Sequence, residues 1–343
     1  MNDFMFVTNS LTGGGAERSM NIIVNELHSR NLKITLVPIN SSPRDQVIPE
    51  CNVVELNREW NGGLLETLKK FMKFHLVVIR EKPSVIVLNC DLPEMFGAFL
   101  FFGYKKLVVV EHSSFPWKTR MKLGRVVRRA LIHKSSLWVC VSDHLKVWPT
   151  SNRPNIVIPN PLLSTQENSN RNTSKIISRL VFVGRLSLEK RPDLFLEVCS
   201  ATKLPGLIIG DGRMRSELEN SVLENNLDIE FRGQQLDPWS LFKQGDLVVI
   251  PSEYEGDGLV LLEAMARNLS ILVSDIPDFR RFDLPKVNYC NSVEDFQNRI
   301  LTYSSDLQLL KIPEKISEEH LDRRAVVSIG NAWEEFLLQA RDN

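Results

Sequence analysis

The sequence predicts an α/β protein of two doubly wound parallel-sheet domains facing a central cleft, and three observations predict it. Short, near-continuous apolar runs alternate with longer amphipathic stretches along almost the whole chain. Buried parallel strands and their crossover helices read in that way. The alternation breaks once, at a proline-punctuated and then polar segment, and afterwards resumes. A length of 343 residues suits two domains of ordinary size.

In order, the first series has strands at Phe4–Thr8, Lys33–Ile39, Val85–Asn89, Leu107–Glu111 and Leu137–Ser142. Helical spacing fills Ala16–Ser29, Leu64–Glu81 and Met121–His133 between them. Pro149, Pro154, Pro159 and Pro161 then punctuate a short region, and the stretch from Ser164 to Lys175 is polar. These features predict a first domain over 1–163 and a linker over 164–175. A second domain over 176–322 has strands at Leu180–Val183, Gly206–Ile209, Ile229–Arg232, Leu247–Pro251 and Ser270–Ser274. Its helices fit Asp193–Ser200, Arg213–Asn225, Pro238–Lys243 and Leu259–Arg267. The tail, 323–343, is helical by period and is expected to pack back towards the first domain.

Composition excludes several classes of function. Lys plus Arg and Asp plus Glu both number 42, so bulk charge predicts no nucleic-acid partner. The five cysteines are scattered, with no Cys-x-x-Cys pair, and read as buried free thiols of a reducing compartment. Met1–Asn9 reads as a first strand rather than a leader. The most apolar stretch, Met95 to Tyr104, is too short to span a bilayer of about 30 Å. The expected place is the cytoplasm.

Ligands of doubly wound sheets bind beyond the carboxyl ends of the strands, and polar motifs stand there. Gly13-Gly14-Gly15-Ala16-Glu17-Arg18 follows the first strand and opens a helix, which suits an anion against backbone N–H groups. An ordinary βα turn accounts for the same residues. The spacing is not Gly-x-Gly-x-x-Gly, which argues against an NAD oxidoreductase. Glu111-His112-Ser113 stands just past a strand end, where His112 is placed to meet a sugar or phosphate or simply to serve structure. Arg185 and Lys190 flank a loop after the first strand of the second domain, and two cations at a helix start suit a diphosphate. Gly210-Asp211-Gly212 is a strand–turn that turn chemistry alone explains. Glu255 lies in a glycine-rich turn and Glu263 one to two helical turns further on, so two carboxylates bracket the helix start.

With these motifs in register, the sequence resembles the retaining GT-B glycosyltransferases of family 4, the group 1 glycosyltransferases. The resemblance covers nearly the whole chain. It rests on the Glu-x7-Glu pair Glu255/Glu263, on Val183-Gly184-Arg185-Leu186 with Glu189-Lys190, on Gly210-Asp211-Gly212, on Ile158-Pro159-Asn160-Pro161 and on the N-terminal glycines. It implies two Rossmann-like domains, the first for the acceptor and the second for the nucleotide sugar. Arg185 and Lys190 would hold the donor diphosphate, and Glu255 would face the donor sugar and reaction centre. Glu263 would bind the ribose hydroxyls, and backbone N–H groups near Gly258, Leu259 and Val260 would cap the distal phosphate. Gly14 and Gly15 would lie under the donor phosphate and acceptor, Gly210 would border the nucleotide, and His112 would touch the donor sugar. The sequence departs from the family at Asp257, often Phe or Pro there, at Arg267-Asn268, often Cys-Gly, and at Pro277-Asp278, often paired Gly. Asp257 therefore bears on donor choice.

The leaving diphosphate needs positive charge, which Arg185, Lys190 and helix N–H groups can supply. No Asp-x-Asp occurs in the chain, so neither metal nor cofactor is expected. A UDP-sugar is the favoured donor by family frequency, GDP-mannose the next. Lys118 to Lys134 holds seven Lys or Arg and no acid. As a helix it would set an apolar stripe of Leu123, Val126, Val127, Ala130 and Leu131 beside a basic face of Lys118, Lys122, Arg125 and Arg129. A packed helix with a solvated basic side fits equally. Phe96, Phe99, Phe101 and Phe102 nearby suit shallow insertion, though core packing suits them better. Together these features point to an anionic membrane surface and a lipid-linked saccharide acceptor, as in surface polysaccharide or O-antigen assembly. The alternatives are a nucleotide-sugar epimerase on the same fold or a non-catalytic nucleotide-sugar-binding subunit.

Overall fold

The computed structural model describes residues 3–41, 50–134, 136–150, 152, 154–163 and 175–342, so the expected linker at 164–175 lies outside the described residues apart from Lys175. The chain forms two compact units, Met1–Leu163 with Arg323–Asn343, and Ser164–Asp322.

The first unit runs β1 (Phe4–Thr8), α1 (Gly15–Ser29), β2 (Ile34–Pro38), β3 (Asn52–Val53), α2 (Leu64–Glu81), β4 (Val85–Asn89), α3 (Asp91–Ala98), β5 (Lys106–Glu111), α4 (Met121–His133), β6 (Leu137–Cys140) and β7 (Ile156–Val157). Its seven strands are parallel in the order β3-β2-β1-β4-β5-β6-β7. Val85, Val87, Val108 and Val110 face one core with Met20, Val24 and Leu27 of α1. Ile86, Leu88, Leu107 and Val109 face the other with Phe74, Val78, Phe96 and Leu131. Burial of both faces is why these strands are apolar at every position rather than at alternate ones.

The second unit runs β8 (Arg179–Val183), α5 (Pro192–Thr202), β9 (Gly206–Ile209), α6 (Arg215–Glu224), β10 (Ile229–Phe231), β11 (Asp246–Ile250), α7 (Leu259–Met265), β12 (Ser270–Ser274), α8 (Pro277–Arg280), β13 (Tyr289–Cys290), α9 (Val293–Thr302) and α10 (Glu314–Leu321). Its six strands are parallel in the order β10-β9-β8-β11-β12-β13. In both sheets the order reverses once, between β1 and β4 and between β8 and β11, and that is where such sheets bind ligands. The last helix, α11 (Val326–Asp342), returns to the first unit. Trp333, Phe336 and Leu337 enter the core behind α1, and Arg30, which caps α1, binds Glu334 at 3.0 Å.

Three expectations need correction. The helix expected at Pro238–Lys243 is a short 3-10 turn, Pro238–Leu241, whose start is held by Asp237 accepting from the Trp239 N–H. Core packing, the favoured expectation for the four phenylalanines, holds for Phe96, whereas Phe99, Phe101 and Phe102 are exposed. The apolar stripe expected on α4 is split. Val127 and Leu131 are buried, Leu123 and Val126 face solvent, and Arg128 is buried beside the core pair. The stripe fails because Arg128 finds partners inside: Glu94 of α3 at 2.6 and 2.8 Å, and Glu111 of β5. Trp117 donates to the same Glu94 at 2.9 Å, and the Arg128 guanidinium lies 5.3 Å from the Trp138 ring centre.

All five cysteines are thiols rather than disulfide halves, and all but Cys90 are buried. Burial pushes the Cys51 thiol up to about 11 and those of Cys140, Cys199 and Cys290 up to about 12. Iodoacetamide at pH 8, read by mass spectrometry, is therefore expected to alkylate Cys90 in the native protein and the other four only after unfolding. Alkylation of Cys199 at the rate of Cys90 would contradict this packing.

Candidate functional site

Each unit gathers polar residues at the carboxyl edge of its own sheet. In the second unit they come from the loops after β8, β9, β11 and β12. The loop after β8 must pass close to the loop after β9, and glycine permits it. Gly210 sits at φ 146, and a Cβ there would stand 1.9 Å from the Gly184 carbonyl oxygen. Gly212 is equally tight against Leu186, whose N–H bonds the Asp211 carbonyl at 3.0 Å. This packing sets the course of the Arg185–Lys190 segment.

That segment meets the loop after β11. Lys190 Nζ donates to both carboxylate oxygens of Glu255 at 2.6 Å, a pair made across 65 positions. The Ser252 hydroxyl donates to Glu255 Oε1 at 2.8 Å, and the Glu255 N–H donates to Asp278 Oδ2 at 2.8 Å. Glu255 is 8% exposed and Lys190 25%, so the pair stands at the rim of the unit, partly shielded from water. Arg185 is exposed beside it. Burial pushes the Glu189 carboxyl up, but the Ser187 hydrogen bond, its own backbone N–H and the Lys190 and Arg185 charges outweigh that and hold it below the usual range. Burial, helped by Glu189, Glu253 and Glu255, pushes the Tyr254 phenol up to about 12.

Gly258 ends the turn at φ 68 and starts α7, so the N–H groups of Leu259 and Val260 open the helix at this edge. Glu263, in α7, accepts from the Trp239 indole at 2.8 Å, and Arg267 lies over that indole at 4.9 Å. One oxygen of Glu263 is thus fixed, on a group with about four acceptor positions. Asp257 is buried, with its carboxylate 3.5 Å from Arg281 and its carbonyl accepting from Arg281 at 2.7 Å. Its charge is directed to Arg281.

In the first unit, β1, β4 and β5 contribute neighbouring groups. His112 Nε2 meets Asn89 Oδ1 at 2.5 Å, and Asn89 Nδ2 donates to Thr8 at 3.4 Å and to the Ala16 carbonyl at 3.5 Å. The glycine-rich turn is held by Glu17, which accepts from the Gly14 N–H at 3.0 Å. The Gly14 N–H is therefore engaged within its own helix start, with Gly15 as the first helical residue.

Arg185, Lys190, Gly210, Glu255, Gly258, Leu259, Val260 and Glu263 thus share one sheet edge in the second unit, and Gly14, Gly15 and His112 share one in the first. Sequence reasoning missed Ser252, Asp278 and Trp239 as partners of the two glutamates, and Asn89 as the partner of His112. Asn89 and Ser252 were open to discovery, since each is a polar residue at or just past a strand end. Nothing marks Trp239, whose ring reaches Glu263 only through tertiary packing. Among the described residues there is no group of three or more His, Cys, Asp and Glu placed to hold a metal ion, and no helix is long and apolar enough to cross a membrane.

Residues 165–318 match the family model of glycosyl transferases group 1. A GalNAc-alpha-(1->4)-GalNAc-alpha-(1->3)-diNAcBac-PP-undecaprenol alpha-1,4-N-acetyl-D-galactosaminyltransferase of Campylobacter jejuni is 22% identical over 273 residues, covering 76% of each chain. An uncharacterized glycosyltransferase of Haemophilus influenzae is 28% identical over 290 residues, 78% of each chain. Among solved structures, Anabaena Alr3699/HepE in complex with UDP and glucose superposes with a TM-score of 0.77 at 17% identity, covering 98% of this chain and all of that one. The two parallel-sheet units have the GT-B fold.

Proposed function

Since this chain is a glycosyltransferase carrying a group 1 domain over residues 165–318, we propose that it transfers a sugar from a UDP-sugar to a lipid-linked saccharide, with retention and without a metal. The observation that carries the reading is the meeting of Lys190 and Glu255 at the reversal point of the second sheet, with Arg185 and the start of α7 on the same edge. Glycosyl transfer builds positive charge on the sugar while the diphosphate leaves with negative charge. Arg185, Lys190 and the Leu259 and Val260 N–H groups supply fixed positive charge to the leaving group. Glu255, restrained by Ser252, Lys190 and Asp278, presents its carboxylate towards the sugar, and Glu263 accepts from the ribose. Gly210 borders the nucleotide. The leaving phosphate takes the proton of the acceptor hydroxyl on the face it departs from, which retains configuration.

The first unit then holds the acceptor, with His112 and the Gly14–Gly15 turn on the carboxyl edge of its sheet. A UDP-bound Anabaena neighbour supports UDP as the nucleotide, and the PP-undecaprenol substrate of the Campylobacter jejuni relative supports a lipid-borne acceptor. That acceptor places the enzyme at the inner face of the cell membrane, in surface polysaccharide synthesis. The charge comes from arginine and lysine rather than an ion, in keeping with a chain that contains no Asp-x-Asp.

Thermal unfolding with EDTA present tests the donor. At 100 times its dissociation constant, a nucleotide that binds only the folded state adds about 2.7 kcal/mol, a rise of several degrees. UDP and UDP-sugars are expected to raise Tm, GDP and GDP-mannose less, and Arg185→Ala to abolish the rise. A shift with none of them, or one that survives Arg185→Ala, would overturn the assignment.

A further inference from the structure

Helix α2 has two apolar faces. Phe74, Val77 and Val78 are buried against the sheet, as a surface helix requires. The opposite face carries Leu65, Leu68, Met72, Leu76 and Ile79, and Leu65 and Leu76 are 76% and 66% exposed. At 100° per residue these five fall within one narrow stripe that runs about 21 Å along the 18-residue helix. The stripe extends beyond the helix at both ends. Trp60 stands exposed before it, next to Leu64 at the first helical position, and Phe102, stacked edge-on against His75 at 4.8 Å, continues it with Phe101 and Phe99. A contiguous patch of this kind is rare on a soluble surface without a partner.

The charges beside the stripe identify the partner. Lys69, Lys73 and Arg80 follow its flank on α2, all exposed. Of the acids on α2, Glu66 accepts from the Glu59 N–H at 2.8 Å, and Glu81 pairs with Arg80 at 2.7 Å. At the end of the stripe an open surface depression of about 440 Å³ is lined by Ile79, Lys82, Phe102, Tyr104 and Lys105. It combines an apolar wall with two ammonium groups, the chemistry of an acyl chain below a phosphate. On α4, Lys122, Arg125 and Arg129 are exposed next to Leu123 and Val126 and add positive charge to the same unit.

We propose that the outer face of α2, with Phe99, Phe101 and Phe102, is a docking surface for an anionic lipid bilayer, the leucines and phenylalanines entering the acyl boundary and Lys82 and Lys105 holding a lipid phosphate. Apolar insertion combined with adjacent basic side chains is how an in-plane helix binds such a surface. The helix leads directly into β4, so its Leu64 end lies towards the carboxyl edge of the sheet, the edge that carries His112 and the glycine turn. Docking along α2 sets that edge beside the headgroups, where a lipid-borne acceptor presents its saccharide.

Co-sedimentation of the full chain with phosphatidylglycerol–phosphatidylcholine vesicles and with pure phosphatidylcholine vesicles tests this without reading activity. Its failure is therefore separable from failure of the transfer reading. The wild type is expected to bind the anionic vesicles. Leu68→Gln/Leu76→Gln, both at exposed positions, is expected to weaken binding by at least about tenfold. Lys82→Glu/Lys105→Glu is expected to remove the preference for anionic lipid. Leu223→Gln/Leu301→Gln, exposed in the second unit, is expected to leave binding unchanged. Equal binding by the wild type and the α2 variant would overturn the proposal. So would a wild type that ignores vesicles and sediments as a dimer that the α2 variant dissolves, which would make the stripe a contact between two copies.

Discussion

Replacing Lys190 with alanine is expected to lower kcat for sugar transfer by about 10²- to 10³-fold, the loss typical of removing one fixed group that stabilises transition-state charge. Lys190 is the group that touches both oxygens of Glu255, so the change has a second effect. It leaves a carboxylate that is 8% exposed without its cation, and Tm falls as well. The double variant Lys190→Met/Glu255→Gln separates the two effects. It removes the orphaned charge and is expected to recover most of the Tm while staying inactive. The measurement is steady-state UDP release from a UDP-sugar with acceptor present, alongside thermal unfolding. A Lys190→Ala enzyme within about threefold of wild-type kcat would remove Lys190 from the chemistry.

Arg128→Met is expected to produce the largest loss of stability of any single change in the first unit. Two buried carboxylates, Glu94 and Glu111, share this one guanidinium, and all three side chains are at most 2% exposed. Breaking such a set by removing one member costs about 3–5 kcal/mol, because the remaining charge has no water to turn to. For a unit of this size that is a fall of roughly 6–20 °C in Tm. The pH dependence has a definite sign. Burial pushes the Glu111 carboxyl up, and Arg128 opposes it. Without Arg128 the folded state holds the Glu111 proton more tightly still, so stability is present at low pH and lost as pH rises through the raised folded value. The gap between variant and wild type should therefore be smaller at pH 5 than at pH 8. Arg129→Met, at the exposed neighbouring position, should fall within about 0.5 kcal/mol of wild type at both. A gap that is the same at both pH values would mean that Glu111 is not the residue carrying the cost.

The long strands were legible because burial on both sheet faces leaves a simple signature. Phe4–Thr8, Val85–Asn89, Gly206–Ile209 and Ser270–Ser274 have the bounds expected of them, and so do the helices Leu64–Glu81 and Met121–His133. The edge strands Asn52–Val53, Ile156–Val157 and Tyr289–Cys290 are two residues each and carry no periodic pattern. Helix α3 was hidden because its apolar residues merge with the phenylalanines that follow it. Arg128 shows the main limit. A stretch of seven basic residues and no acid gives four of them to one basic face and nothing to mark Arg128 as a core residue, which only the position of Glu94 and Glu111 in space decides. The site has the same character. Its residues stand at strand ends, where a sequence can find them, but the bonds that restrain Glu255 and Glu263 come from Ser252, Asp278 and Trp239 through tertiary packing.

The return of α11 to the first unit also has a consequence for synthesis. Trp333, Phe336 and Leu337 fill the core behind α1, yet they are translated only after the whole of Ser164–Asp322. On the ribosome, the second unit can close while the first still exposes the apolar groove that α11 will occupy. The part of the chain made first is therefore the last to finish folding, contrary to the usual order of domain completion during translation. Nascent chains stalled before Val326 should expose that groove to trigger-type chaperones, and those released beyond Asp342 should not.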